Sequence, residues 1–199
     1  MPDTRYHHGN LRSTLLAAAA ASIERDGVEA LSLRQLARDA GVSHAAPSRH
    51  FRDKQALLDA LAEDGFNRLA AALDEAAAGD AATPADVRAR FDALAHGYVS
   101  FALAQPTLLG LMFGLKHAPD ARAELVAAGH ASMEITMRVV ADAQAVGAVA
   151  ADDPQQIALV AFATFHGIAT LASGELLDDV PTDSLVDTAI ELFWRGLQP

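Results

Sequence analysis

Apolar positions recur along this chain every three to four residues and almost never alternate, the period of helices and not of strands. Leu15, Leu16, Ala19 and Ile23 mark one face of a first helix, which Asn10 can cap and Gly27 can end after Asp26. Ser32 opens SLRQ, a capping box with Gln35, and Leu33, Leu36 and Ala37 form the inner side of a short helix that stops at Ala40. Gly41 permits a sharp turn, Ser43 is placed to cap a second short helix closing at Phe51, and Asp53 to cap a long one carrying Leu57, Leu58, Leu61, Phe66 and Leu69. Two short helices joined by a Gly-containing turn and packed on a supporting helix make a helix-turn-helix, here residues 32–51 within an N-terminal domain of residues 9–69.

The stretch AAAGDAATP, Ala76 to Pro84, is small and flexible, and Thr83 followed by Pro84 restarts a helix. The domain junction is expected there, with a C-terminal domain over residues 84–199. Val87, Phe91, Leu94, Tyr98 and Phe101 share a face; Gln105-Pro106 breaks that helix, and TLLGLMFG makes a short apolar one. Pro119 is expected to open a long helix through Ala145, Asp153-Pro154 an apolar helix, and Thr182 to cap a last helix through Leu197. In that last helix Leu185, Ala189 and Leu192 line one side, and Val186, Ile190, Phe193 and Leu197 another. Two apolar sides call for two partners, of which the second can be another subunit. The predicted class is therefore all-α: a three-helix DNA-binding type of head and a C-terminal helical bundle.

Composition changes this picture in four places. Cysteine is absent, which excludes a disulfide framework and thiolate metal sites and fits a reducing cytoplasm. The start has a signal-peptide look, Arg5 and Arg12 ahead of LLAAAAA, but its apolar stripe continues through Ile23 into IERDG as an amphipathic helix does. The most apolar run, Ile157 to Ala172, is shorter than a membrane span and contains His166, so a helix buried on all sides is expected and no membrane partner. The net charge of −11 hides an asymmetry. Residues 1–54 hold eight Lys/Arg against six Asp/Glu and four of the eight histidines, whereas the remainder holds seven against twenty: a mildly basic head on an acidic body.

LSLRQLARDAGVSHAAPSRHFRDKQALLDAL, Leu31 to Leu61, with the helix before it and YHHGNLR (Tyr6 to Arg12), resembles the TetR family of bacterial transcriptional regulators. FHG, Phe165 to Gly167, looks like the Trp-His-Gly signature of one C-terminal subgroup, with phenylalanine for tryptophan. The resemblance implies a homodimer that presents two recognition helices to a near-palindromic double-stranded operator and leaves it when a small organic effector binds the C-terminal domain. It places His44, Ala45 and Ala46 at base edges, Arg34 at a base or phosphate, and Ser32, His50 and Lys54 at phosphates. Ser43, Ser48 and Arg49 complete the expected DNA face, Ser48 standing where the family usually has tyrosine and Pro47 where it usually has a core leucine.

Pro47 is the awkward residue. With Ser43 as cap it is the fourth helical residue, where it removes the amide that would bond the Ser43 carbonyl and disfavours helical dihedrals at Ala46. An interior proline costs ~3 kcal/mol; near the start the cost is smaller. Ala45 and Ala46 let the backbone approach DNA and can meet a thymine methyl, leaving His44 and Arg49 as polar readers. Arg5, Tyr6, His7 and His8 can form a minor-groove arm or a frayed terminus.

No catalytic constellation stands in the chain: no H-E-x-x-H, G-x-S-x-G, phosphate loop or cysteine nucleophile, hence no enzyme, no cofactor and no metal site are expected. His130 and Glu134 lie one turn apart and read as a solvated pair. His166 reads as a structural histidine bonded to a backbone carbonyl or as a ligand contact. The resemblance puts an effector pocket among Phe91, Tyr98, Phe101, Met112, Phe113, Met133, Met137, Phe162 and His166, whose rings and thioethers suit an apolar, adaptable cavity. The rival reading is a helical small-molecule or haem-binding protein with a vestigial head, and activation in place of repression is open as well.

Overall fold

A computed structural model describes residues 11–198 of the chain, so Asn10 and the segment with Arg5, Tyr6, His7 and His8 lie outside the described residues. Among the described residues there are nine α-helices and no strand: α1 (Leu11–Asp26), α2 (Leu33–Asp39), α3 (Ala46–His50), α4 (Lys54–Ala76), α5 (Pro84–Ala104), α6 (Pro106–Lys116), α7 (Ala123–Ala145), α8 (Pro154–Ser173) and α9 (Thr182–Gly196). The all-α expectation holds. By their contacts the described residues form two compact units, 11–65 with 107–125, and 66–106 with 126–198. This partition does not follow the 76–84 linker, because α6, which comes after α5 in sequence, packs with the N-terminal helices.

In the first unit, Leu15, Leu16, Ala19 and Ile23 of α1 and Leu36 and Ala37 of α2 are buried with Leu31, Pro47, Phe51, Leu57 and Leu61. Gly27 and Gly41 have φ of 81° and 65°, the left-handed conformations their turns require. Ser32 caps α2, its Oγ accepting from the Gln35 amide at 3.2 Å, but the capping box is only half made. The Gln35 side chain donates to Asp39 instead, at 2.6 Å. Asp53 caps α4 as expected, accepting from the Ala56 amide at 2.8 Å.

Ser43 does not cap α3. Its carbonyl accepts from Ala46 in a turn at 2.9 Å, the helix starts at Ala46, and it carries no side-chain cap. Pro47 thus occupies the second helical position, where an amide has no intrahelical partner to lose, and the expected proline penalty disappears. The ring is buried in the core, as the resemblance implies for this position, and its carbonyl accepts from Phe51 N at 2.9 Å.

The helix α6 is fastened to this unit at two points. Pro106 has no amide to offer, and the next two, Thr107 and Leu108, donate to the two carboxylate oxygens of Glu24 on α1 at 3.1 and 2.8 Å. One turn further along, Met112, fully buried, lies so close to α4 that a Cβ on Gly65 would sit 2.6 Å from its sulfur.

In the second unit, α5, α8 and α9 pack on one another. Phe91 is the hub. It stacks on Phe193 at 5.4 Å, meets Trp194 at 5.7 Å and Phe165 at 6.1 Å, and each such pair adds about 0.5–1.5 kcal/mol to simple burial. Thr83 and Asp86 form a reciprocal capping box at the start of α5, with Pro84 at the first helical position. Arg90, with its side chain only 10% exposed, donates to the Ala77 carbonyl and to Asp142 on α7, both at 2.7 Å.

Three expectations about this unit and the turn leading into it are corrected. Pro119 does not open α7; a turn closed by Ala121 N to Ala118 O takes up those amides, and the helix begins at Ala123. Thr182 is not a cap, since Pro181 occupies that position and α9 has no side-chain cap. Nor is α8 buried all round. It buries Ile157, Ala158, Ala161, Phe165, Ile168 and Ala169 and exposes Leu159, Val160 and Leu171. At 20 residues it is long and apolar enough to cross a membrane by length and composition alone, the same property a core helix has.

Candidate nucleic-acid interface

Exposure sorts the residues of the helix-turn-helix into two sets. Pro47 and Phe51 point into the core, while Ser43, His44, Ala45, Ser48, Arg49 and His50 are exposed and Ala46 is half-buried. One side of a short helix anchors it, and the other is a solvent-facing strip of alanines, small hydroxyls and basic groups. Ser32 and Arg34, at the start of α2, are exposed too. Lys54, half-buried at the start of α4, donates to the Glu29 carbonyl at 2.9 Å, which ties α4 to the loop after α1 and leaves two ammonium hydrogens for another acceptor. Arg12, on the first turn of α1, lies over the Phe51 ring at 5.7 Å.

Beside this strip the first unit has an open cleft of about 400 Å³ lined by His50, Arg52, Ala56, Asp59 and Arg122. Sequence reasoning passes over Arg52 and Arg122. Arg122 has no signal in its neighbours, because the association of the segment 107–125 with the head is what brings it there.

Of the residues expected in an effector pocket, three come together. Tyr98 Oη lies 2.7 Å from His166 Nδ1, and Phe162 contacts both, edge-on to Tyr98 at 5.9 Å and tilted to His166 at 5.1 Å. A phenol is thus one partner of His166. Burial pushes the Tyr98 phenol up and the His166 imidazolium down, so both groups are held neutral. Their hydrogen bond runs from phenol to Nδ1 or the reverse, according to the imidazole tautomer.

Phe91 belongs to the α5–α8–α9 aromatic core, where it borders an apolar void of about 10 Å³, too small for a ligand. Phe101 is half-buried with the Arg68 guanidinium 6.0 Å over its ring. Met133 and Met137 are half-buried, one turn apart on α7, and Met112 and Phe113 fall in the first unit with α6. His130 and Glu134 are exposed, and among the described residues no three His, Cys, Asp or Glu gather as a metal site.

Residues 15–61 match the family described as "Bacterial regulatory proteins, tetR family", and residues 91–193, over half the chain, match "Tetracyclin repressor-like, C-terminal domain". The chain belongs to the TetR family. The C-terminal match carries this general description and does not speak to the Trp-His-Gly subgroup. A solved structure of a protein with unknown function from Rhodococcus sp. RHA1 is 60% identical, covering 99% of this chain and 100% of that one with a TM-score of 0.88. The TetR family regulator PfmR from Thermus thermophilus shares the fold, with a TM-score of 0.70 at 19% identity over 93% of this chain and 99% of its own. The HTH-type transcriptional regulator BetI of Yersinia pestis (strain Pestoides F) is 36% identical over 86 residues, 43% of this chain. The matched stretch spans 42% of the length of that curated relative.

Proposed function

We propose that this TetR-family chain is a DNA-binding transcriptional regulator that acts in the cytoplasm as a homodimeric repressor, without enzymatic turnover. The observation that carries the proposal is the division of residues 43–51, with Pro47 and Phe51 holding α3 to the core and His44, Ala45, Ser48 and Arg49 turned outward. A recognition helix reads base edges in the major groove with its first turns. In this role His44 and Arg49 are the polar readers, Ala45 and Ala46 supply close approach and methyl contact, and Ser32, Arg34, Ser43, Ser48, His50 and Lys54 hold the phosphate backbone.

The exposed apolar residues Val160 and Leu171 of α8 and Leu192 of α9 support a second copy of the chain as the partner that covers them. The neutral Tyr98–His166 pair with Phe162 supports an uncharged, largely apolar organic effector able to exchange one hydrogen bond with it. Such an effector would favour a spacing of the two recognition helices that departs from the ~34–36 Å of one DNA turn.

Selection of genomic DNA fragments on the purified protein tests the proposal. Enrichment of a near-palindrome is the expected result, and its place relative to promoters separates repression from activation. Binding that enriches no sequence would favour a ligand-binding protein whose head no longer reads DNA.

A further inference from the structure

The cleft beside α3 joins residues that are distant in sequence. His50 ends α3, Arg52 follows it, Ala56 and Asp59 lie on α4, and Arg122 comes from the turn just before α7. We propose that this cleft is a second seat for the DNA backbone, in which Arg122, outside the helix-turn-helix, grips a phosphodiester together with His50 and Arg52. The inference rests on the DNA-binding reading above and adds to it a contact that residues 9–69 do not contain.

Three observations carry it. First, Arg122 is fixed to the head. The segment 107–125 packs with residues 11–65, Glu24 holds the first free amides of α6, and Met112 is buried against Gly65. Second, the lining is cationic. Two arginines face one aspartate, and Asp59 already accepts from Gln55 at 2.8 Å. Third, both guanidinium groups have donors to spare. Arg52 gives Nε to Asp53 at 3.0 Å and Arg122 gives one Nη to Glu124 at 3.4 Å, in pairs exposed to solvent that a phosphate can outcompete. Each guanidinium has five N–H donors, and its planar fork fits phosphate oxygens. The small Ala56 leaves about 400 Å³ of open space, into which a backbone running past His50 can settle.

Titration of a mixed-sequence duplex and of the enriched operator against salt, with wild type, Arg122→Ala and Arg122→Lys, tests the assignment. One phosphate contact contributes about 0.9 to the slope of log K against log salt. Arg122 occurs twice in the homodimer, so the affinity advantage of wild type over Arg122→Ala should shrink about 12-fold between 50 and 200 mM salt, equally on both duplexes. Arg122→Lys should keep the wild-type slope. A slope unchanged in Arg122→Ala, with wild type binding normally, overturns this inference alone, whereas a wild type with no salt-dependent affinity overturns the DNA-binding reading with it. Wild type that binds inorganic phosphate through Arg122 while the DNA slope stays unchanged would make the cleft a small-anion site and also overturn the inference.

Discussion

Replacing Glu24 by alanine removes the only acceptor described for the amides of Thr107 and Leu108, and its effect can be worked out from the geometry. Both bonds are partly buried, at 3.1 and 2.8 Å, and both end on one carboxylate. The side chain of Gln105, close by in sequence, already accepts from Arg68 at 2.9 Å. A hydrogen bond to a charged group contributes about 1.5–3 kcal/mol, and two that share an acceptor add to less than their sum. We expect Glu24→Ala to lose about 2–4 kcal/mol, combining the stranded amides with the lost interaction with the helix dipole. Glu24→Gln keeps one acceptor oxygen but no charge and should lose about half of that. For a chain of this size each kcal/mol moves Tm by roughly 2–4 °C. Far-UV circular dichroism on heating and in urea would therefore place Glu24→Gln clearly between wild type and Glu24→Ala. Superimposable curves for wild type and Glu24→Ala would refute the idea that this carboxylate fastens α6 to the head.

Further expectations concern the other surfaces. Arg49→Ala should weaken operator binding by about 1–3 kcal/mol and relax preference at one base pair per half-site if it reads guanine; a loss equal on every sequence would make it a backbone contact. Stability should depend on pH through His166. Because burial lowers the folded-state pKa of this base, the unfolded chain takes up its proton first as pH falls. The contribution of His166 is thus fully present above the ordinary histidine value of about 6.5 and is lost as pH drops below it. Imidazole NMR should show the His166 ring titrating below that value, and a normal or raised midpoint would contradict its buried neutral state. Leu192→Glu should shift sedimentation of the protein from dimer to monomer without loss of helix content, because Leu192 is 64% exposed on α9; an unchanged dimer would move the interface elsewhere.

The periodicity of apolar residues is enough to locate the helices, because each buries one stripe and the caps that start them are local in sequence. Ser32, Asp53, Thr83 and Asp153 all cap through amides two or three residues away. Sequence misleads where a partner is remote or where competing local geometry wins. Pro47 reads as a strained interior residue only if Ser43 is the cap, and a later helix start, at Ala46, removes the strain. The capping role of Glu24 for α6 joins residues 83 and 84 positions apart, which no window of sequence reveals. The expected pocket draws Met112 and Phe113 from one compact unit and its other seven residues from the other, because apolarity alone does not tell which unit a residue joins. The exposed strip proposed to meet DNA is more legible. Residues 43–50 are contiguous, and the basic His44, Arg49 and His50 and the hydroxyl-bearing Ser43 and Ser48 are exposed while Pro47 is buried.

The most direct test of the whole account is the affinity of wild-type protein for its enriched duplex against the same duplex with both half-sites scrambled, at a fixed physiological salt concentration. A sequence-reading dimer should prefer the intact site by about 10³-fold or more, with two protomers bound per site. Equal affinity for the two duplexes, with only salt-sensitive binding left, would contradict the claim that α3 reads DNA sequence.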